Sequence, residues 1–147
     1  MSQSLKDRCL SFARRTYDTV RRIPELPGAF LHPWRRETNR KLAEIKDSHT
    51  GERCFVIGNG PSLKNTDLSK LTGDFTIGMN RIFLAAEELG FRPDILVCVN
   101  DLVVEQSVTE FEKLQMPKFF AWRARKWLKM DPFTYFLYTT YTSPRFA

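Results

Sequence analysis

The residues best suited to chemistry form a short turn that follows an apolar run from Cys54 to Ile57. An apolar, β-branched run that stops at glycine and proline is typical of a buried strand ending in a tight turn. The turn consists of Gly58, Asn59, Gly60, Pro61 and Ser62. Its glycines permit positive φ and bring backbone N–H groups close to a ligand, while proline and serine suit the start of a helix. The pattern predicts an anion cradle, usually for phosphate, and makes all five turn residues candidate nucleotide ligands.

Asparagine and aspartate follow the next two apolar runs of the chain. Asn80 ends the second run, and Asn100 and Asp101 end the third. If these runs are neighbouring parallel strands, the three side chains converge at one edge of the sheet, where ligands bind near the switch point. An asparagine amide suits a base edge, a ribose or a sugar hydroxyl, and Asp101 could hold Mg²⁺ beside a phosphate or bind a ribose. The alternative is that these residues only form turns and cap the helices that follow.

Several other motifs for nucleotides and catalysis do not fit this sequence. Leu63 stands where a dinucleotide fingerprint requires its third glycine, and no Gly-Lys-Ser/Thr follows the turn as in a Walker loop. His32 and His49 precede the first strand, so neither is a convincing general base, and no catalytic triad or zinc cluster is visible. The basic stretch at 123–129 could meet an acidic acceptor or a phosphate, although a solvated turn is the simpler interpretation.

Length, charge and cysteine content limit the classes to which this protein can belong. A chain of 147 residues with a hydrophobic share of 42% predicts one globular unit. Most of the net charge of +6 lies in residues 1–50, which carry eleven Lys/Arg against six Asp/Glu, so the rest is nearly neutral. This distribution disfavours nucleic acid as the partner. Cys9, Cys54 and Cys98 lack metal spacing and are expected to be buried, reduced thiols of a cytoplasmic protein.

Residues 1–50 are predicted to form a basic helical leader and linker. Apolar residues recur at helical spacing from Ser4 to Ile23 among five arginines. This helix either packs one stripe on the domain or touches an anionic membrane surface from the cytoplasmic side. Prolines and a glycine predict a linker over residues 24–34, and a second, short helix is expected from Glu37 to Lys46. No run is long enough for a membrane span, which needs about 18 apolar residues.

Residues 51–147 are predicted to form an α/β domain with a Rossmann-like parallel sheet of about four or five strands, covered on both faces. Helices are expected at Arg81–Leu89 and Leu102–Leu114, with a short helix or two turns at Leu63–Leu71. The strand candidates are Cys54–Ile57, Asp74–Met79, Ile95–Val99, Lys118–Trp122 and Thr134–Thr140.

The stretch from Val56 to Leu63 resembles the MptE-like domain family, named for archaeal 6-hydroxymethylpterin diphosphokinases, and the related bacterial family 42 sialyltransferases. The resemblance continues through Gly78-Met79-Asn80 and Val99-Asn100-Asp101 and covers roughly residues 52–122. In the sialyltransferase branch it implies that Asn59 and Asn80 contact a cytidine nucleotide donor. In the pterin branch it implies ATP with Mg²⁺, which gives Asp101 a role at the metal.

The resemblance matches the N-terminal half of such a domain, so the domain is expected to be incomplete at its C-terminus. The catalytic histidine of the sialyltransferases belongs to the second half, and no residue here matches it, so no catalytic residue is assigned. The sequence therefore predicts a nucleotide-binding transferase domain for surface glycan assembly, with a nucleotide donor and a small-molecule or glycan acceptor. The alternatives are an ATP-dependent diphosphokinase of the pterin type and a non-catalytic, truncated binding module. No cofactor is certain beyond possible Mg²⁺ with CMP-sugar or ATP.

Overall fold

A computed structural model describes residues 12–13, 16–17, 20, 26–85 and 90–138. Its centre is a five-stranded sheet in which every strand runs parallel to its neighbours, as in Rossmann-like α/β folds. The predicted fold class is therefore confirmed. The strands are β1 (Cys54–Ile57), β2 (Phe75–Met79), β3 (Ile95–Cys98), β4 (Lys118–Ala121) and β5 (Thr134–Leu137).

The strands lie in the sheet in the same order as in the chain, from β1 at one edge to β5 at the other. Ile57 pairs with Gly78, Met79 with Val97, and Cys98 with Phe120. The order of the five described strands never reverses, so the expected switch point does not lie between any two of them. The reason is that each crossover joins adjacent strands, whereas a switch point needs a connection that skips to the other side of the first strand.

The helices differ from the predicted ones in length and number: the helix predicted from Glu37 to Lys46 begins earlier, at Pro33, and ends at Ile45. The segment expected to be one helix from Leu102 to Leu114 is two helices that meet at the buried Ser107. The predicted helix from Arg81 to Leu89 is described only as a single 3₁₀ turn, because residues 86–89 lie outside the described residues. The α-helices are α1 (Leu26–Leu31), α2 (Pro33–Ile45), α3 (Asp101–Gln106) and α4 (Val108–Lys113), and the 3₁₀-helices are Pro61–Asn65, Leu68–Leu71, Ile82–Ala85 and Trp122–Lys126.

Helix α2 packs on β5 and belongs to the same folded unit as the sheet. The Trp34 ring stacks on Phe136 with ring centres 5.5 Å apart, and the buried Thr38 hydroxyl accepts a hydrogen bond from the Phe136 N–H at 3.2 Å. The predicted linker at 24–34 is wrong where it is described, because α1 and the start of α2 are helical there. Pro33 interrupts no helix, since it occupies the first turn of α2, where a missing N–H costs nothing.

Burial is uneven across the sheet. All four residues of β4 are buried, whereas in β1 only Ile57 is buried. The predictions of a buried first strand and of a buried Cys54 are therefore wrong. The physical reason is that β1 is an edge strand, and that α2 packs on the other edge strand, β5, where three of the four residues are buried. Cys98, in β3, is buried as expected, and Cys9 lies outside the described residues. Within the described part of the chain, no helix has the length and apolar character that crossing a bilayer would require.

Candidate functional site

The parallel order brings the predicted site residues to one edge of the sheet, which we call the carboxyl edge. It consists of the segments that follow β1 to β4: the turn at 58–62, Asn80 with Arg81, Asn100 with Asp101, and the 3₁₀-helix Trp122–Lys126. Adjacent parallel strands lie about 4.8 Å apart, so the first and last of these segments are separated by roughly 14 Å. The convergence expected of the strand ends is thus present in the fold.

The glycine turn has a different backbone from the one predicted. Gly60 has φ −72° and ψ 159°, an extended conformation that any residue can adopt, and Gly58 is not among the glycines with positive φ. The chain leaves β1 extended and enters the five-residue 3₁₀-helix Pro61–Asn65 directly. A Cβ atom added to Gly58 would meet no protein atom within 4 Å. The glycines therefore leave open space at the end of β1, and do not serve a left-handed turn.

A groove of about 480 Å³ lies beside this turn. Its wall is formed by the exposed side chains of β1 and by leucines of the two following 3₁₀-helices, and it includes Gly58, Gly60 and Ser62. Asn59 and Pro61 are exposed but do not line it. Asp67 is the one charged residue among the described residues that line the groove. The groove thus unites three predicted ligands in an apolar setting, and the strand-end residues of β2 and β3 lie outside it.

Asn80 forms the turn that ends β2. It adopts the left-handed conformation with φ 55°, which asparagine tolerates better than most residues. Its N–H donates to the carbonyl of Val97 at 2.8 Å, and its side-chain oxygen lies 3.7 Å from the Cys98 sulfur. Burial raises the pKa of the Cys98 thiol, so this cysteine is a packed, protonated neighbour of Asn80. The left-handed turn holds Asn80 at the carboxyl edge of the sheet.

Asn100 and Asp101 follow β3 and have different partners. The side-chain oxygen of Asn100 accepts a hydrogen bond from the Leu102 N–H at 3.1 Å, so Asn100 caps α3, as its alternative interpretation predicts. Asp101 instead forms an ion pair with Arg123, with 3.0 Å between Oδ2 and Nε. No three metal-binding side chains of His, Cys, Asp or Glu come together in the ranges that the structure describes. Among the described residues, Asp101 therefore has no group of further metal-binding side chains around it that would support a metal role.

Arginines lie at the strand ends, and one of them, Arg81, is a functional candidate that the sequence reasoning missed. Arg81 directly follows Asn80, and its Nε atom is buried without a hydrogen-bond partner in the described structure. Arg123 and Arg125 follow β4, and both are half-buried, which corrects the simpler interpretation of this stretch as a solvated turn. The position of Arg81 just after a predicted strand is the signal that could have identified it.

His32 is closer to the carboxyl edge than its place in the sequence indicates. Its ring packs edge-on against the Trp122 ring with the centres 5.5 Å apart, although the two residues are far apart in the chain. Its Nδ1 atom accepts the Trp34 N–H at 3.1 Å and thereby caps α2, so that lone pair is not available to a substrate. His49 stacks on Phe75 at the start of β2, away from this edge. Neither histidine is positioned as a general base.

Comparisons of this chain with protein-family models, with curated proteins and with solved structures found no match. The fold nevertheless defines its class as an α/β protein with a Rossmann-like parallel sheet. The resemblance of the glycine turn to MptE-like domains and sialyltransferases remains a prediction. Any functional proposal must therefore rest on the geometry of the carboxyl edge.

Proposed function

We propose that this chain is the nucleotide-binding part of a transferase, with the nucleotide lying along the carboxyl edge of the sheet. One observation carries the proposal: the parallel, sequential strands align the groove beside Gly58 with Asn80 and with Asn100–Asp101. Open α/β sheets bind ligands beyond the carboxyl ends of their strands. The groove offers apolar area for a base, and the asparagines offer amide groups for a ribose or a phosphate.

The reaction that suits this edge is transfer of a group from an activated nucleotide donor. Such transfer needs mainly positioning of the donor and stabilisation of the charge on its leaving phosphate. The ion pair between Asp101 and Arg123 favours a glycosyltransferase-like donor such as a CMP-sugar over ATP with Mg²⁺, because a carboxylate bonded to guanidinium is a weaker metal ligand. The acceptor in this proposal is a small molecule or a glycan, as in surface glycan assembly.

Calorimetric titration with CMP, CDP and ATP, each with and without Mg²⁺, tests the proposal. We expect CMP or CDP to bind without metal, with dissociation constants on the order of micromolar to millimolar. Binding of ATP alone, and only with Mg²⁺, would support the diphosphokinase alternative and contradict the glycosyltransferase one. Nucleotide binding without turnover of any CMP-sugar would indicate the non-catalytic binding module. Absence of binding by all three nucleotides would refute the proposal.

The variant Gly58→Val tests whether the nucleotide binds in the groove. Its side chain points into space that the protein does not occupy, so folding should be unchanged while nucleotide affinity falls about tenfold or more, as a bulky group blocks close approach. The matched control is Gly73→Asn, since Gly73 also has open space around it but precedes β2 at the opposite edge. Its positive φ of 91° strains any L residue, asparagine less than most, so circular dichroism must first show that this variant folds like the parent. Equal losses of affinity in both variants would contradict a site beside Gly58.

We infer in addition that the N-terminal basic segment contacts an anionic membrane surface. Large apolar side chains at three described positions in this segment are exposed: Phe12 by 72%, Tyr17 by 66% and Val20 by 57%. Residues 1–23 carry six Lys/Arg against two Asp/Glu. Exposed apolar groups combined with positive charge match the interface of a membrane that contains acidic lipids.

Co-sedimentation with lipid vesicles checks this inference. The protein should bind vesicles that contain phosphatidylserine, should not bind pure phosphatidylcholine, and should be released as salt rises, because each basic residue contributes about 1 kcal/mol near the surface. Phe12→Glu should weaken binding severalfold. Leu102→Glu is the control, since Leu102 is also 66% exposed but lies in α3. Equal binding to both kinds of vesicle, or equal losses in both variants, would show that this segment is not the contact.

A further inference from the structure

The two ends of the carboxyl edge have different chemistry. The groove beside β1 is mainly apolar, and none of the described residues that line it is basic. The segments at the other end, after β3 and β4, hold Arg123, Arg125 and Lys126 against the single carboxylate of Asp101. A base and a ribose suit the first environment, and a phosphate suits the second.

The glycine turn lacks the features that would make it the phosphate site. Its backbone at Gly60 is extended, so it forms no concave nest of N–H groups of the left-handed type. The helical turn that follows is a 3₁₀-helix of only five residues, which is too short to contribute a substantial dipole. The phosphate is therefore better placed elsewhere on this edge.

Arg123 has the geometry of an anion ligand. Its Nε forms an ion pair with Asp101 Oδ2 at 3.0 Å, and the side chains are 30% and 33% exposed, so the pair is neither fully buried nor free in solvent. A guanidinium carries five N–H donors, more than a contact with one carboxylate oxygen can use, and its planar fork matches the geometry of a phosphate. The ion pair with Asp101 restricts where this fork lies.

The neighbouring arginine is already engaged with the protein. Arg125 donates from Nη1 to the Trp122 carbonyl at 3.0 Å, and its guanidinium lies 4.7 Å from the centre of the Trp122 ring. These contacts hold Arg125 against the 3₁₀-helix that carries it. Arg123 is consequently the better of the two candidates for a ligand.

We propose that Arg123, positioned by Asp101, binds the phosphate of the nucleotide, while the nucleoside lies in the groove beside β1. This inference rests on the proposed function and reverses the orientation that the glycine turn predicts from sequence. In this orientation the ribose lies near Asn80, which follows β2 between the two ends, and Asn100 lies beside Asp101 at the phosphate end. Asp101 is a positioning residue here, because it acts through the guanidinium that it orients.

The test compares cytidine with CMP, since the ratio of their affinities isolates the contribution of the phosphate. The parent protein should bind CMP about ten- to a hundredfold more tightly than cytidine, the range expected for hydrogen bonds to a charged group. Arg123→Gln should reduce that ratio to about threefold or less while the affinity for cytidine stays unchanged. Asp101→Asn should lower the ratio part of the way, and Arg123→Lys should retain more of it than Arg123→Gln. If the first titrations select adenine, adenosine and AMP replace the cytidine pair.

Two further variants separate the two ends of the site. Arg125→Gln is the matched control and should lower the ratio much less than Arg123→Gln, because Arg125 is held against Trp122. Val56→Asp, at an exposed groove position, should lower the affinities for cytidine and for CMP by the same factor and leave their ratio unchanged.

The outcomes distinguish the inference from the proposed function. If CMP binds and Arg123→Gln keeps the parent ratio, the orientation is wrong and the nucleotide site stands. An unchanged ratio combined with weaker cytidine binding would make Arg123 a structural residue and would equally overturn the inference. If no nucleoside or nucleotide binds the parent protein, the inference and the proposed function fall together.

Discussion

Replacing Gly78 by valine should lower the free energy of unfolding by about 3 kcal/mol, the upper end of the roughly 1 to 3 kcal/mol that overpacking a core typically costs. Gly78 is buried in β2 between β1 and β3. A Cβ atom built on it would lie 2.6 Å from Cγ2 of Ile82 and 2.7 Å from Cγ of Pro93. Real Cβ contacts essentially never occur at such distances, and the proline ring cannot rotate away, so the strand itself would have to move.

Urea unfolding followed by far-ultraviolet circular dichroism measures this effect. Gly58→Val is a demanding control, because Gly58 directly follows Ile57, the β1 residue paired with Gly78, yet has open space around it. We expect that control to change the free energy of unfolding by no more than about 0.5 kcal/mol. A Gly78→Val protein whose unfolding midpoint and slope match those of the parent would show that β2 can shift without cost.

The sequence predicts the elements of this fold better than the positions of its side chains. The apolar run at Cys54–Ile57 predicts β1 residue for residue, and the run at Ile95–Val99 is one residue longer than β3. Both predictions succeed because continuous apolar runs bounded by glycine, asparagine or proline are a local signal for parallel strands. The same local signal correctly places Asn80 and Asn100 just after the ends of β2 and β3.

The features that local patterns miss depend on strand order. The exposure of Cys54 and Val56 follows from the place of β1 at the edge of the sheet together with the packing of α2 on the other edge, and nothing in an apolar run indicates which edge a helix covers. The pair of Asp101 and Arg123 joins residues that follow two different strands. Such contacts become visible only once β3 and β4 are known to be neighbours, which is why the sequence pointed to Asp101 and to the basic stretch at 123–129 without pairing them.

The second large effect concerns a charged group beneath the loop that connects β4 to β5. Lys118 is only 1% exposed, and its ammonium donates to Asp131 Oδ2 and to the Leu114 carbonyl, each at 2.8 Å. A second buried lysine, Lys41 of α2, donates to the carbonyls of Asp131 at 2.9 Å and Thr134 at 2.6 Å. Asp131 therefore anchors the loop through its side chain and its backbone.

Asp131→Asn should lower the free energy of unfolding by about 2 to 3 kcal/mol, because it leaves the Lys118 ammonium buried without a counter-charge. The value lies below the range for fully buried pairs, since the Asp131 side chain is 32% exposed. Lys118→Met should cost only about 1 kcal/mol, as the partly solvated carboxylate keeps its hydrogen bond from the Phe133 N–H at 2.8 Å. Urea unfolding of both variants measures this asymmetry, and equal losses would contradict it.

The pH dependence of stability tests whether charge causes this difference. Burial alone would raise the pKa of the Asp131 carboxyl, but the hydrogen bonds from Lys118 and Thr134 outweigh burial and hold that pKa below its ordinary value. The unfolded chain then binds more protons than the folded one as pH falls below about 4, so Asp131 stabilises the fold above that pH and loses this contribution below it. The asparagine of the Asp131→Asn variant has no carboxyl group and does not titrate in this pH range. The difference in unfolding free energy between parent and variant should therefore shrink as pH falls from about 6 to about 2. A difference that stays constant over this range would mean that Asp131 anchors the loop by hydrogen-bond geometry alone, and that its charge contributes nothing to stability.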